Sequence, residues 1–515
     1  MSNRYKKIIE YYNMLKDEGL IYGRKKPVGN LDALVTDVSY NSLEAKEGTL
    51  FICKGANFKR KYLDDAIKSG AVCFVCDKEN AQNETINSAE KLIPMIIVKD
   101  LRKAISKLSA FYFDRSWDNL KIIGLTGTKG KSTTACMIKA IMDEFLSREI
   151  GFSSGIYTYD GNEKLKSKKL TTPETIELHR ILDNSVKNNL KYLVMEVSSQ
   201  GLKYDRVLDL NYEIGCFLNI SKDHISAAEH KDMEDYLTSK LKLFQQSKIG
   251  LINMDMDKTY LPRIMDEAEK CCEKVIYIKS PEVIEGPGYI DIKTMLKGKI
   301  EEFRVNIGGE YNGINAVCAI NVCSEFGVPV KIMKDALKKL VVPGRMEHYN
   351  LNNNVDVIVD CAHNKMSYEG LFKYADEQYP GRKKFFLFGC VGDKAYNRRK
   401  EAAEIVDKFS DYAVITERDP GKEPVKQICS EIYSYIKHKE RAEIIIDRDE
   451  AVKKILDDAI KVDNSIVLLC GCGSDAYVKR GTQLIEFPTD GERVREYIYN
   501  CKPLISKIFS RKNRY

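Results

Sequence analysis

The stretch KIIGLTGTKGKSTTACMIKAIMDEFL, residues 121–146, constrains the fold more than any other part of this chain. A β-branched apolar run passes through a glycine loop into a helical pattern, the context in which a parallel strand hands over to a helix N-terminus. The loop comprises Gly127, Thr128, Lys129, Gly130, Lys131, Ser132 and Thr133. Its glycines let backbone N–H groups turn toward phosphate oxygens, and the helix adds its positive end. Lys131 is placed to reach the β- and γ-phosphates of a nucleotide, and the Ser132 hydroxyl to join a Mg²⁺ shell. The usual phosphate loop has a glycine five residues before the one in Gly-Lys-Ser. That position is Leu125, and the glycine falls at Gly127, so this loop is shorter. On the loop alone, nucleotide binding competes with a glycine turn that happens to carry a lysine.

The rest of the chain repeats the theme of strand, polar turn and helix. At 515 residues it exceeds one hydrophobic core, and three segments emerge. Residues 1–119 hold strand-like TLFICKG, AVCFVCD and PMIIVKD between helical YLDDAIKSG and LRKAISKLSAFYF. Residues 120–341 carry the glycine loop and two more strands, YLVMEVSS and IGCFLNIS. Residues 342–515 repeat apolar strands whose carboxyl ends turn polar: VDVIVDCAHN, KFFLFGCVGD, DYAVITERDP and SIVLLCGCGSD. Strands alternating with helices predict an α/β protein with mostly parallel sheets, the third segment doubly wound and Rossmann-like, and ligands at the carboxyl ends of the strands.

Composition excludes several function classes. An apolar share of 43% and a charged share of 30% describe an ordinary globular chain. The 82 basic and 75 acidic residues leave a net charge of only +7, too evenly spread for a nucleic-acid partner. The tail KIFSRKNRY is the one local basic excess and reads as a solvated terminus. No apolar run reaches the length of a membrane helix, and the charged N-terminus lacks a signal core, so a cytoplasmic protein is expected. The fifteen cysteines are scattered in apolar runs. They read as reduced thiols acting as small hydrophobes, and the Cys73/Cys76 CxxC has no second pair to complete a zinc site.

Beyond the glycine loop, a series of short motifs occurs in order: LTTPET, MEVSSQGLKYDR, NISKDH, YLTSKLKLF, GEYNGINAVCAI and VPGRME. Together with GTKGKST, and with VTDVSYNSLEAKEGTLFICKG near the N-terminus, they resemble the Mur ligase family, the ATP-dependent amide ligases of peptidoglycan-precursor synthesis. The likeness is to the branch that adds the third amino acid of the peptide stem, and it covers nearly the whole chain. The shortened loop is that family's own form. The resemblance implies three domains: an N-terminal uridine-binding domain, a central ATPase domain and a C-terminal domain for the incoming amino acid. It implies ATP, Mg²⁺ and a UDP-N-acetylmuramoyl-L-alanyl-D-glutamate acceptor as small-molecule partners, in a monomer.

Site residues follow by motif. Glu196, ending an apolar strand, resembles a Mg²⁺ ligand; by itself it equally suits a helix-capping acid. His224 resembles the ligand of a second magnesium, although imidazole is an unusual one and the residues alone read as a loop histidine. Lys240 resembles the lysine whose neutral amine captures CO₂ as a carbamate, although SKLKLF by itself reads as a solvated helix face. Asn312 and Asn315 resemble adenine-side contacts, and Arg345, Asp360 and His363 third-domain groups that close onto the phosphates. Ser42, Thr171, Thr172, Ser198, Tyr204 and Arg206 fall in motifs that contact the UDP substrate. The amino-acid site is expected around Lys394, Arg418, Asp419, Gly421, Gly471 and Asp475.

In that last group the chain departs from its relatives. Gly421 stands where diaminopimelate-adding members carry an arginine for the distal carboxylate, and glycine cannot form that bidentate pair. The family's Gly-Asp-Arg is GDK here, with Lys394, and its Gly-Lys-Gly-His-Glu is GCGSD, ending in Asp475. These changes favour L-lysine or a similar diamino acid over meso-diaminopimelate, or a divergent mode through Arg418. Gln200 replaces a frequent histidine, NKM follows His363, and FKRK stands in the N-terminal domain where Asp-Gly-His is usual. The competing readings are a related amide ligase with a non-murein acceptor, of the folylpolyglutamate or cyanophycin type, and a nucleotide-dependent protein without catalysis.

Overall fold

The computed structural model describes residues 5–500, apart from 24–25, 56–57, 168–169, 227–228 and 353. The basic tail lies outside the described residues. At the centre is an eight-stranded sheet in which Gly151–Ser153, Tyr192–Glu196, Lys121–Thr126, Tyr212–Phe217, Ser247–Asn253 and Lys274–Ile278 run parallel. Strand Lys121–Thr126 sits in the middle, paired on both sides, so the loop that follows it emerges at the sheet's interior rather than its edge. That strand has no polar side chain among its buried residues except Thr126, as a strand covered on both faces requires. The helix after the loop, Lys131–Leu146, packs against helices Asn312–Glu325 and Val330–Lys338.

The N-terminal segment forms a four-stranded parallel sheet of Asp37–Ser39, Thr49–Ile52, Cys73–Asp77 and Met95–Val98. The C-terminal segment forms a six-stranded sheet in which Val355–Asp360, Ser465–Cys470, Lys383–Phe388, Tyr412–Ile415 and Ala442–Ile444 are parallel. Glu347–Asn352 adds an antiparallel edge strand. The α/β architecture with largely parallel sheets is therefore the one expected.

One element was not expected. Glu282–Gly286, Tyr289–Leu296 and Lys299–Val305 make a separate three-stranded antiparallel sheet. The helix Lys365–Gln378 of the C-terminal segment meets this sheet. Tyr374 Oη accepts from Gly288 N at 2.8 Å and donates to Gly286 O at 3.2 Å. The apolar core of the central sheet runs continuously into one face of the C-terminal sheet, and a second core joins the N-terminal segment to the central one. Among the described residues no helix is long and apolar enough to cross a membrane. All fourteen described cysteines are free.

Candidate active site at the carboxyl ends of the strands

The phosphate loop is held from both sides. Asn219, just past strand Tyr212–Phe217, accepts from Lys129 N through Oδ1 at 2.9 Å and donates to Lys129 O at 3.1 Å. Its own carbonyl accepts from Thr128 N at 3.1 Å. Gly130 caps the helix Lys131–Leu146 with φ +86°, a left-handed conformation natural only to glycine. A Cβ there would strike Oδ1 of Asn315. The buried pair Asn312 and Asn315 thus lies directly against the loop, Asn315 donating to Asn312 Oδ1 at 3.0 Å.

Two lysines meet at this loop. Lys131 Nζ folds back onto Gly127 O at 2.8 Å and Thr128 O at 3.3 Å, spanning the turn where phosphate oxygens would lie. Burial pulls its ammonium below the ordinary lysine range, while Glu196 acts to hold the charge. Lys240 arrives from helix Met233–Leu241 on the opposite side. It is 1% exposed, donates to Gly127 O at 2.9 Å and stands 4.7 Å over the Tyr236 ring. Burial, and then the charge of Lys131, push its pKa well below that of a free lysine. The solvated face that SKLKLF suggested is the correction here: this helix turns its lysine inward.

Glu196 ends strand Tyr192–Glu196 and is 2% exposed. Its Oε1 accepts from Gly155 N at 3.0 Å and from the Ser154 hydroxyl. It does not cap a helix; Ser198 does that, accepting from Gly201 N at 3.0 Å. Among the described residues no three His, Cys, Asp or Glu side chains gather as a ready cage for a metal. A buried carboxylate one strand away from Ser132 nevertheless suits Mg²⁺, which takes few protein oxygens and completes its shell with water and phosphate. His224 stands apart. It is exposed, has φ +58°, and its Nδ1 lies 3.1 Å from Glu229 Oε1. Tyr236 links the two histidines of this region, its ring centroid 5.9 Å from that of His224 and 5.1 Å from that of buried His230.

The C-terminal segment contributes Arg345, Asp360 and His363. Burial works against the Arg345 charge, but Cys361, Asp360, Asp475 and Glu196 hold the guanidinium protonated. The Arg345 charge in turn reaches the half-buried Lys131, so these groups face one another along a seam between the central and C-terminal sheets. Asp360 accepts from Met346 N at 2.9 Å and Ala362 N at 2.8 Å, and burial raises its pKa. Burial, with Arg418 next, lowers the His363 pKa to about 4, leaving a neutral imidazole at neutral pH.

The UDP-substrate candidates divide. Thr172 Oγ1 donates to Glu196 O at 3.0 Å and accepts from Ser198 N at 2.9 Å, fixing the substrate-side segment to the metal-side strand. Arg206 reaches Thr172 O at 3.3 Å and pairs with Glu174 at 2.9 Å. Thr171 lies beside Gly155 and Glu196. Lys54 of the N-terminal sheet pairs with Glu174, and Arg102 stacks 3.8 Å over Tyr204, so the N-terminal sheet is docked on this segment. Ser42 sits on the turn before strand Thr49–Ile52, half-buried.

At the amino-acid site the fold adds local detail. Gly421 has φ +61°, and a Cβ there would strike the Asp393 carboxylate. Asp419 Oδ1 accepts from Lys479 N at 2.8 Å and so anchors the hairpin Tyr477–Arg480/Gln483–Glu486. Lys394 is exposed. Arg418 extends over Gly471, where a Cβ would lie 3.0 Å from its Cδ. Asp475 faces Arg345 and Cys361 electrostatically.

Sequence reading missed Asn219, Ser154 and Arg448. Asn219 lay inside a quoted motif and ends an apolar strand, which was signal enough. Arg448 gave no signal, because only the fold reveals that it is 1% exposed and paired bidentately with Asp490 at 2.8 and 2.7 Å.

Comparison with known proteins agrees with this geometry. Residues 125–323 match the Mur ligase middle domain, and residues 344–473 the Mur ligase, glutamate ligase domain. The UDP-N-acetylmuramoyl-L-alanyl-D-glutamate–L-lysine ligase of Enterococcus faecalis is 34% identical, over 86% of this chain and 88% of its own. The corresponding 2,6-diaminopimelate ligase of Clostridium perfringens is 32% identical, over 92% and 96%. Among solved structures, a UDP-N-acetylmuramoyl-L-alanyl-D-glutamate–2,6-diaminopimelate ligase shares the fold with a TM-score of 0.64 at 20% identity, over 96% and 99%. With these matches covering most of its length, the chain belongs to the Mur ligase family of ATP-dependent amide ligases.

Proposed function

We propose that the protein joins a diamino acid, L-lysine in preference to meso-diaminopimelate, to UDP-N-acetylmuramoyl-L-alanyl-D-glutamate at the expense of ATP. The observation that carries this reading is the shared seam: Arg345 of the C-terminal segment lies within electrostatic reach of Lys131 and Glu196 of the central one. A phosphoryl group seated on the loop would meet cationic charge from two domains, where charge develops during transfer. The acceptor carboxylate attacks the γ-phosphorus and ADP leaves. The amine of the amino acid then attacks the carbonyl carbon, releasing phosphate and a proton. Lys131 and Arg345 bind and neutralise the phosphates, Asn312 and Asn315 face the base, and the neutral His363 is available to accept a proton near its Nε2.

Magnesium, when bound, supplies Lewis-acid charge to the phosphates. Glu196 and Ser132 would hold one ion, and His224 with a carbamylated Lys240 a second. The lowered pKa of Lys240 supports the carbamate, since only a neutral amine reacts with CO₂. The N-terminal sheet docked on Thr171–Arg206 supports a nucleotide-linked acceptor over a folate or cyanophycin acceptor. Relatives of nearly equal identity carry lysine and diaminopimelate in their names, so the preference rests on this chain's own residues, where Gly421 offers no guanidinium to a distal carboxylate. Soluble nucleotide-linked substrates of this kind are in keeping with a reaction in the cytoplasm. The test is ATP turnover with the dipeptide precursor and a panel of amino acids, read by product mass. Tripeptide from L-lysine is the expected result, and ATP turnover indifferent to the dipeptide would overturn the assignment.

A further inference from the structure

Arg418, in the C-terminal domain, carries a buried Nε without a hydrogen-bond partner. Its neighbours in sequence are all committed. Glu417 accepts from Arg480 at 2.7 and 2.8 Å, and its carbonyl from buried Arg448 at 3.1 Å. Asp419 accepts from Lys479 N through Oδ1 and from Gly392 N through its carbonyl at 3.0 Å. Between these fixed points the Arg418 Nε is buried with no hydrogen-bond partner, and among the described residues no carboxylate pairs with the guanidinium. An unpaired buried donor of this kind is costly unless a ligand completes it.

The side chain has a direction. It starts after strand Tyr412–Ile415 and passes over the end of the neighbouring strand Lys383–Phe388. There a Cβ on Gly389 would stand 3.1 Å from the Arg418 Cβ. It ends over Gly471, beyond strand Ser465–Cys470, where a Cβ would stand 3.4 Å from Nε. The next strand is Val355–Asp360, whose carboxyl end carries Asp360, Cys361 and His363. Two glycines therefore clear a path along which the guanidinium runs toward the seam, and its charge is felt at both Cys361 and His363. Arg448 stiffens that path, because its other arm donates to Cys470 O at 2.9 Å, immediately before Gly471.

We propose that Arg418 binds the α-carboxylate of the incoming amino acid and so positions its α-amine for attack. The inference rests on the ligase reading above. Reach decides the assignment: the α-carboxylate and the attacking amine share one carbon, whereas the far nitrogen of lysine lies about 6 Å further along the side chain. A cation aimed at the seam is thus placed for the near carboxylate, not for a distal one. Guanidinium and carboxylate also match as a bidentate pair.

The experiment compares L-lysine with L-lysinamide, which lacks the α-carboxylate, as substrates of the full-length protein and of Arg418→Gln and Arg418→Lys. Comparing the substrate ratio across variants cancels the different basicity of the amide's amine. The wild type should favour L-lysine by about a hundredfold or more in kcat/KM, mostly through KM. Arg418→Gln should shrink that preference to within a few-fold, and Arg418→Lys should fall between. A merely structural role would lower both substrates together and leave the ratio unchanged, which overturns the proposal. A variant that alters the ratio of L-lysine to meso-diaminopimelate while sparing the lysine to lysinamide ratio also overturns it, since Arg418 would then read a distal carboxylate. Wild-type protein that forms no tripeptide with any amino acid defeats the ligase reading itself, a distinct result.

Discussion

Replacing Lys240 by methionine separates chemistry from stability. The amine is 1% exposed and makes one good hydrogen bond, to Gly127 O at 2.9 Å, with Thr126 Oγ1 at 3.4 Å. Losing that bond costs about 1 kcal/mol, while removing a polar group from a buried site returns a similar amount. Lys240→Met should therefore be at least as stable as the wild type at neutral pH, because there the deprotonation that burial imposes on the lysine counts against the folded wild type. Ligation should fall at least about a hundredfold, because the group beneath the phosphate loop is gone. The pH dependence gives a second handle. Burial lowers the lysine's folded-state pKa, so above that value and below the unfolded value of 10.5 the unfolded chain holds one more proton. Stability contributed by this group thus rises with pH, by up to about 1.4 kcal/mol per unit, throughout that window. Urea unfolding of both proteins at a series of pH values below 10.5, in bicarbonate-free buffer, should show the wild type gaining on Lys240→Met as pH rises. Parallel stability profiles, or a methionine variant within about tenfold of wild-type ligation, would refute the reasoning. Lys240→Ala, which leaves room, should recover part of its activity with short carboxylates if a carbamate is the working form.

Other perturbations have equally defined outcomes. Lys131→Ala removes the charge that spans Gly127 O and Thr128 O and should reduce turnover by at least about a hundredfold, with circular dichroism unchanged. Gly130→Ala forces a Cβ against Asn315 at φ +86° and should weaken ATP binding, measured by titration calorimetry, far more than it weakens folding. Arg448→Met leaves Asp490, 0% exposed, without its bidentate partner and should cost about 3–5 kcal/mol in urea unfolding; the double variant Arg448→Met/Asp490→Leu should recover much of it.

What the sequence made legible follows from physics local to each segment. The parallel strands announce themselves as short apolar runs because both faces are covered, and the phosphate loop because glycine, lysine and serine must be neighbours there. The antiparallel sheet 282–305 stayed hidden because one face is solvated and bristles with charge, so Glu282, Lys293 and Glu302 mask its alternation. Lys240 misled because burial is a tertiary property. Its partner, Gly127 O, lies 113 residues away in the chain. The amino-acid pocket is opaque for a similar reason: only the fold shows that Asp419 Oδ1 accepts from Lys479 N and that the Asp393 carboxylate lies beside Gly421. Which side chains are committed to the fold and which are left over, as Arg418 is, can be read only once every partner is placed.

Activation of the acceptor carboxylate as an acyl phosphate, at the seam of Lys131, Glu196 and Arg345, leaves an isotopic signature. Dipeptide precursor labelled with oxygen-18 in the reacting carboxylate, turned over with ATP and L-lysine, should yield ADP and inorganic phosphate carrying one oxygen-18 atom for each amide formed. Unlabelled phosphate, or AMP with pyrophosphate as the nucleotide products, would rule out the acyl phosphate.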